Sequence, residues 1–238
     1  MEAHTTPEIQ RTNLANVVLL LKSVGIDDLY NFDFLDPPPT DTLMRSFELL
    51  YALGSFNDRG ELTKLGRRQA EFPIDPALSK AILASETFGC TDEVLSIVSM
   101  LQESSSIFFR PKEKKLHADK ARASFVRAGG DHFTLLNIWE QWVESGYSFS
   151  FCMENFVQPK VLNRVRDIRD QLAQLAERAE VVLQSNKDSS DVTPIQKALL
   201  SGFFMNTATI QKGGESYRAI KQAATVHIRE YRSGLIPS

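Results

Sequence analysis

Ile9, Leu14, Val17, Val18, Leu21 and Val24 recur at helical spacing. This predicts a helix over residues 7–24, with Thr5 or Thr6 as cap, Pro7 in its first turn and Gly25 as its stop. Asp36 and the run Pro37-Pro38-Pro39 impose an extended connector, because proline fixes φ and disfavours the α region in the residue before it. A second helix is expected from Thr40, acting as cap, through Leu43, Phe47, Leu50 and Leu53 to Gly54. Residues 55–63 read as a small hairpin that turns at Asn57-Asp58-Arg59-Gly60, with Phe56 and Leu62 paired across two short strands, and a basic helix follows over 64–71. Helix, helix, hairpin and basic helix in this order outline a winged-helix domain over residues 1–73.

From residue 74 to residue 186 the apolar spacing is almost purely helical. It predicts a helix over 77–88 ending at Gly89-Cys90, one capped by Thr91 and running to 101, one capped by Asp131 and running to 142, and a long one opened by Pro159 and running to 184. This is a helical bundle. Between two of its helices, residues 102–115 form a loop with three serines, two phenylalanines and four basic residues, a length that usually signals function or mobility. NKDSSD (residues 186–191) is a polar linker. Beyond it come a helical segment over 194–200 and short β-prone runs over 203–210, 217–220 and 225–228. Three short strands do not easily close a barrel or shield their edges, so the third domain, residues 192–238, reads as incomplete. The fold class is mainly α.

Composition narrows this further. Of the 238 residues 42% are hydrophobic and 24% charged, enough to bury real cores in two or three small domains. Cys90 and Cys152 stand far apart, with no CxxC pair and no histidine at ligand spacing, which leaves a structural zinc site short of ligands and points to a reducing compartment. No run approaches a membrane-spanning apolar length, and MEAHTTPEIQ lacks a basic-then-apolar leader, so a soluble intracellular protein with no membrane partner is expected. The net charge of −3 divides into −8 over residues 1–103 and +5 over residues 104–238. Only the second part suits a polyanion, whose affinity follows local charge. The acidic first part argues against a winged helix that reads duplex DNA, since Lys64, Arg67 and Arg68 alone make a thin footprint.

Catalytic chemistry is hard to find. There is no GxxxxGK[ST] loop to cradle a nucleoside triphosphate, the carboxylate pairs Asp27/Asp28 and Asp92/Glu93 have no pocket implied around them, and His4, His117, His132 and His227 are scattered. No catalytic residue is read. Two clusters carry more content. From Ser104 to Ala128 there are seven Lys/Arg against two acids, and Ser104, Ser105, Ser106, Arg110, Lys112 and Lys114 combine hydroxyl donors with positive field, a set suited to gripping a single strand by its backbone. The competing reading packs Phe108 and Phe109 inward and leaves the lysines merely solvated. In the long helix, Lys160, Arg164, Arg166 and Arg169 form no single stripe, and Asp167 and Asp170 offer them partners, so salt-bridged helix surface is the stronger reading there.

Several long segments carry a specific resemblance. They are PEIQRTNLANVVLLLKSVGIDDLYNFDFLDPPP (7–39), LYALG…LTKLGRR…FPIDPALSKAIL (50–83), IFFRPKEKK…HADKARASF (107–125), GGDHFTLLNIW (129–139), ENFVQ (154–158) and RVRDIRDQL (164–172). Together they resemble the region that follows the two motor domains of DEAH-box RNA helicases, and within that family the spliceosomal Prp2-like branch. The resemblance implies a winged-helix domain, a ratchet-like helical-bundle domain and a partial OB-type β domain. It implies that the bundle closes over single-stranded RNA lying on the motor domains, with the serine-bearing loop at Ser104, Ser105 and Ser106 touching the backbone and Arg110, Lys112 and Lys114 nearby. Arg166 and Arg169 are added as candidates from the long helix. The OB-type domain is expected to meet the strand through Tyr217, Arg218 and Lys221. Further implications are a G-patch activator protein docked in an apolar groove within residues 9–53, the spliceosome as partner, and a nuclear location. ATP and magnesium would belong to the motor domains; neither motor domain lies in this sequence, and no cofactor is expected in it. The two resulting readings are an RNA-clamping module and a protein-interaction module.

Overall fold

The computed structural model describes residue 9 and residues 13–211, 217–219 and 225–226. The Thr5, Thr6 and Pro7 start expected for the first helix lies outside the described residues. Helices α1 (Ala15–Ser23), α2 (Thr40–Ala52) and α3 (Lys64–Ala70) make up the first part, and Val18, Leu19, Leu43, Leu50 and Phe56 bury between them. Thr40 does not cap α2; it is the first helical residue, and Pro39 takes the cap position in extended conformation without a side-chain bond. Gly54 stops α2 at φ 77°, where a Cβ would be strained. The expected hairpin strands shrink to one bridge, Phe56 to Leu62, because Asn57 Oδ1 accepts from the amides of Arg59 and Glu61 (3.0 and 2.9 Å) and draws the intervening residues into a turn. Thr63 then caps α3 by accepting from Gly66 N at 2.9 Å.

The bundle comprises α4 (Pro76–Phe88), α5 (Thr91–Gln102), α6 (Lys115–Ser124), α7 (Asp131–Glu144), α8 (Phe149–Glu154), α9 (Pro159–Arg178) and α10 (Thr193–Phe203). Asp75 caps α4 at Ala77 N, Pro76 occupies its first turn, and Gly89 ends it in the left-handed region. The expected caps of α5 and α7 differ. Thr91 spends its hydroxyl on the Val182 carbonyl (2.9 Å), and α7 opens behind Gly130 with Asp131 as a first-turn acid that answers the helix dipole. Two helices, α6 and α8, had no counterpart in the apolar pattern. In turn α9 ends at Arg178, short of residue 184, because Arg68 Nε donates to the Ala179 carbonyl at 2.8 Å and the chain reverses through Glu180 at φ 57°.

Two cores hold the bundle. One joins Ile82, Leu95, Val98, Leu172 and Ala198 across α4, α5, α9 and α10, and includes Phe72 from the end of the winged helix. The other joins Met100, Ile107, Phe125, Trp142 and Leu162. Although α10 follows the polar segment 186–191, it lies along α4 and buries Ile195, Ala198 and Leu199 in the first core. After it come β1 (Ala208–Ile210), β2 (Tyr217–Ala219) and β3 (Thr225–Val226), an antiparallel sheet in the order β1-β2-β3. These strands lie within the three β-prone runs. No described helix is long and apolar enough to cross a membrane.

Both cysteines are free and fully buried, and burial, with Glu93 adding to it, pushes the Cys90 thiol up to about 12. Burial also raises the Cys152 thiol. Neither thiol should react with N-ethylmaleimide at pH 8 in the folded protein, while both should react in denaturant; labelling of the native chain would contradict this burial. The folded chain holds the Cys90 proton more tightly than the unfolded chain. Its contribution is therefore complete below about pH 9 and is lost as pH rises toward 12, so alkaline unfolding should steepen in that window.

Candidate nucleic-acid interface

The segment after α5 is braced rather than loose. Ser104–Ser106 form a single 3-10 turn, and Ile107 behind them is buried. Gln158 N donates to the Ile107 carbonyl at 2.7 Å, Phe109 N donates to the Phe156 carbonyl at 3.0 Å, and Phe108 bridges Val157. These bonds fasten the segment to the start of α9. Phe108 packs against Phe125 and Phe109 against Phe156, with ring centroids 6.2 and 5.6 Å apart, so both rings serve packing. Arg122 lies over the Phe108 ring at 4.8 Å. Ser104 and Ser105 face solvent on this rigid base, and the half-buried Ser106 Oγ donates back to the Glu103 carbonyl at 3.3 Å.

The candidate cations divide by partner. Arg110 forks onto Asp119 of α6 through Nε (2.7 Å) and Nη2 (2.6 Å), which holds the Asp119 carboxyl below its ordinary range. Lys112 and Lys114 occupy a second 3-10 turn and are exposed. Arg164, which sequence reasoning left among the surface salt bridges, reaches Glu103 Oε2 at 3.0 Å and so places a guanidinium beside the serine turn. Arg166 lies over the Tyr147 ring at 5.6 Å and near Asp167 at 4.0 Å. Arg169 turns into the bundle, where it donates to Asp92 Oδ1 (2.8 Å) and Ser96 Oγ (2.9 Å) and covers the Trp139 ring at 5.7 Å. Thus the structure brings Ser104, Ser105, Ser106 and Arg164 together, sets Arg110, Lys112 and Lys114 on the neighbouring α6 side, and ties Arg169 between helices. Tyr217 and Arg218 sit on β2, opposite Ile210 and Thr209 of β1; Lys221 lies outside the described residues.

The carboxylate pairs also have local partners. Asp27 pairs with Lys22 at 3.0 Å, Asp28 accepts from Asn31, Asp92 holds Arg169, and Glu93 accepts from Ser185 Oγ at 2.6 Å and Asn186 N at 3.0 Å. On the winged helix, Arg68 faces the Ala179 carbonyl and Glu86 instead of solvent, which thins that basic footprint further. Next to the serine turn, a shallow cleft of about 290 Å³ runs between Pro73, Ile74, Gln102, Glu103, Ile168 and Leu172, where winged helix, α5 and α9 meet. The serine hydroxyls, the exposed Lys112 and Lys114 on the α6 side and the Arg164 guanidinium can bind phosphate oxygens, while the half-buried Phe108 and Phe109 pack against Phe125 and Phe156.

Two family models match adjoining segments of the chain. Residues 46–74 match the winged-helix part of the helicase associated domain (HA2), and residues 75–135 match its ratchet-like part. The second match starts at Asp75, the cap of α4, and contains the serine turn, α6 and the first part of α7. Such domains occur in DEAH/RHA-type helicases, which fits the C-terminal region of a helicase.

Proposed function

We propose that this chain is the RNA-clamping and regulatory C-terminal region of an ATP-dependent DEAH-box RNA helicase of the spliceosomal, Prp2-like branch, acting in the nucleus in pre-mRNA splicing. Its partners would be single-stranded RNA, the spliceosome and motor domains of the same helicase, which would hold ATP and magnesium. The OB-type reading of residues 192–238 is part of this proposal. The observation that carries it is the exposed Ser104-Ser105 turn, fastened to α9 and flanked by Arg164, inside the ratchet-like match. A rigid donor turn with positive field grips phosphates without reading bases, as a clamp on a moving strand requires.

Fluorescence anisotropy with oligouridine tests this on the chain joined to its motor domains. The triple variant Ser104→Ala/Lys112→Ala/Lys114→Ala should bind about tenfold more weakly, and its salt slope should flatten by roughly 1.4, the loss of two phosphate contacts to a single strand. Unchanged affinity and slope would remove the proposed contact.

The second reading, a G-patch activator docked on the winged helix, is favoured by exposed apolar side chains on α1 and α2, namely Leu20, Met44 and Tyr51, and by Leu35, which is 99% exposed in the connector. Each such residue buried by a partner helix is worth about 1.5–3 kcal/mol. A G-patch peptide that binds tightly while oligouridine does not would favour this reading over the clamp.

A further inference from the structure

Residues 128–159 contain four acidic residues and no Lys or Arg, although they lie in the half of the chain that is net positive. The same stretch exposes Val143, Tyr147, Phe149 and Met153. On α7, Glu140, Val143 and Glu144 recur at three- and four-residue spacing on its solvent side. On α8, Phe149 and Met153 stand four residues apart and face outward, while Cys152 is buried behind them. The corner between the helices is fixed. Ser148 caps α8 at Phe151 N (3.3 Å) and donates its own amide to Ser145 Oγ (3.2 Å), and Tyr147, at φ 60°, rests its ring 5.0 Å from that of Trp142.

From this we infer that the α7–α8 corner is a docking surface for a basic amphipathic segment of a partner protein, with Val143, Tyr147, Phe149 and Met153 as its apolar floor and Glu140, Glu144 and Glu154 as its rim. Exposed aromatic and methionine side chains on a rigid frame are what an apolar helix face packs against. The carboxylate rim selects the sign of the partner. A nucleic-acid backbone is repelled by a stretch without a single Lys or Arg, whereas Lys and Arg flanking apolar anchors find complementary charge. Arg166 lies over Tyr147 at the edge of the floor with its neighbour Asp167 facing it, and Arg127, whose charge reaches Glu140, donates to Asn137 Oδ1 at 2.9 Å. None of these side chains belongs to the serine turn, and the docking does not depend on RNA binding there.

The test uses the whole chain and a fluorescent amphipathic peptide built only from leucine and lysine, with its leucine and glutamate counterpart as the opposite charge. The lysine peptide should bind and the glutamate peptide should not. Phe149→Ser/Met153→Ser and Glu144→Lys/Glu154→Lys should each weaken binding at least about tenfold. The exposed pair Asp33→Lys/Asp36→Lys, in the acidic first part, should leave binding unchanged. All these positions are exposed, so circular dichroism and thermal midpoint should match the parent chain. Binding that survives both double variants, equal loss in the Asp33/Asp36 control, or displacement of the peptide by oligouridine would overturn the proposal. So would a dimer in sedimentation that the Phe149/Met153 variant dissolves, since a second copy would then be the occupant.

Discussion

Gly202→Val should lower the thermal midpoint by about 10 °C, a loss of about 3 kcal/mol at the scale of a chain this long. Gly202 sits in the last turn of α10, where it is buried, and a Cβ there would overlap the carbonyl oxygen of Ala77 in the first turn of α4. That neighbour is backbone, so no side chain can rotate away and the two helices must separate. Separation would unseat Ile195, Ala198 and Leu199 from the core they share with Ile82 and Leu95. Gly202→Ala decides between two causes of opposite sign. If only helix propensity counted, alanine would stabilise by about 1 kcal/mol; close approach predicts a loss instead, near 2 kcal/mol. Differential scanning calorimetry reads the sign, and amide exchange should quicken first in α10. A raised or unchanged midpoint in the alanine variant would mean that α10 does not dock on α4 as closely as the structure has it.

Such a contact marks the boundary of what the sequence discloses. Helices with an apolar stripe and a proline or glycine at an end were legible: α2 between Pro39 and Gly54, α4 between Asp75 and Gly89, and the start of α9 at Pro159. Helix α6 was not, because KLHADKARAS buries only Ala118 and leaves no periodicity to read, and α8 is too short, at six residues, to show one. The end of α9 was misplaced because Val181 and Val182 prolong the apolar run, whereas the stop is set by Arg68, distant in sequence, bonding the carbonyls of Ala179 and Glu180. The serine turn was legible as a polar loop between helices. Its fastening to residues 156–158, and the approach of Arg164 through Glu103, depend on tertiary pairing that no local spacing encodes. Arg169 had the same sequence character as Arg164, yet the partners that fold against each, Asp92 and Ser96 for one and Glu103 for the other, give them different surroundings.

The seam between winged helix and bundle rests on a buried amide, and Gln69→Leu is the substitution expected to open it. The Gln69 side chain is fully buried; its Oε1 accepts from Ser55 Oγ at 2.7 Å and its Nε2 donates to the Pro76 carbonyl at 3.2 Å. One residue thereby ties the turn after α2 to the first turn of α4. Around it, Arg68 reaches Glu86 and the end of α9, and Lys80 Nζ donates to the Leu53 carbonyl at 3.0 Å, so the polar groups at this junction satisfy one another. Leucine matches the volume of glutamine approximately but offers neither donor nor acceptor. The Ser55 hydroxyl, itself fully buried, would be left unpaired away from water at a cost of about 1–3 kcal/mol, while the Pro76 carbonyl keeps the Ser79 hydroxyl at 3.1 Å. For a chain of this length that is a fall in midpoint of roughly 2–12 °C. The second substitution Ser55→Ala removes the stranded hydroxyl, so the double variant Ser55→Ala/Gln69→Leu should recover about 1 kcal/mol relative to Gln69→Leu alone. Full additivity of the two losses would mean that the pair does not interact. Because the serine turn is fastened to α9 and the cleft beside it is bounded by Pro73 and Ile74, opening this seam should also loosen any strand held there. On the proposed clamp, Gln69→Leu should then weaken oligouridine binding, and its salt slope, unlike that of the Ser104/Lys112/Lys114 variant, should stay at the parent value.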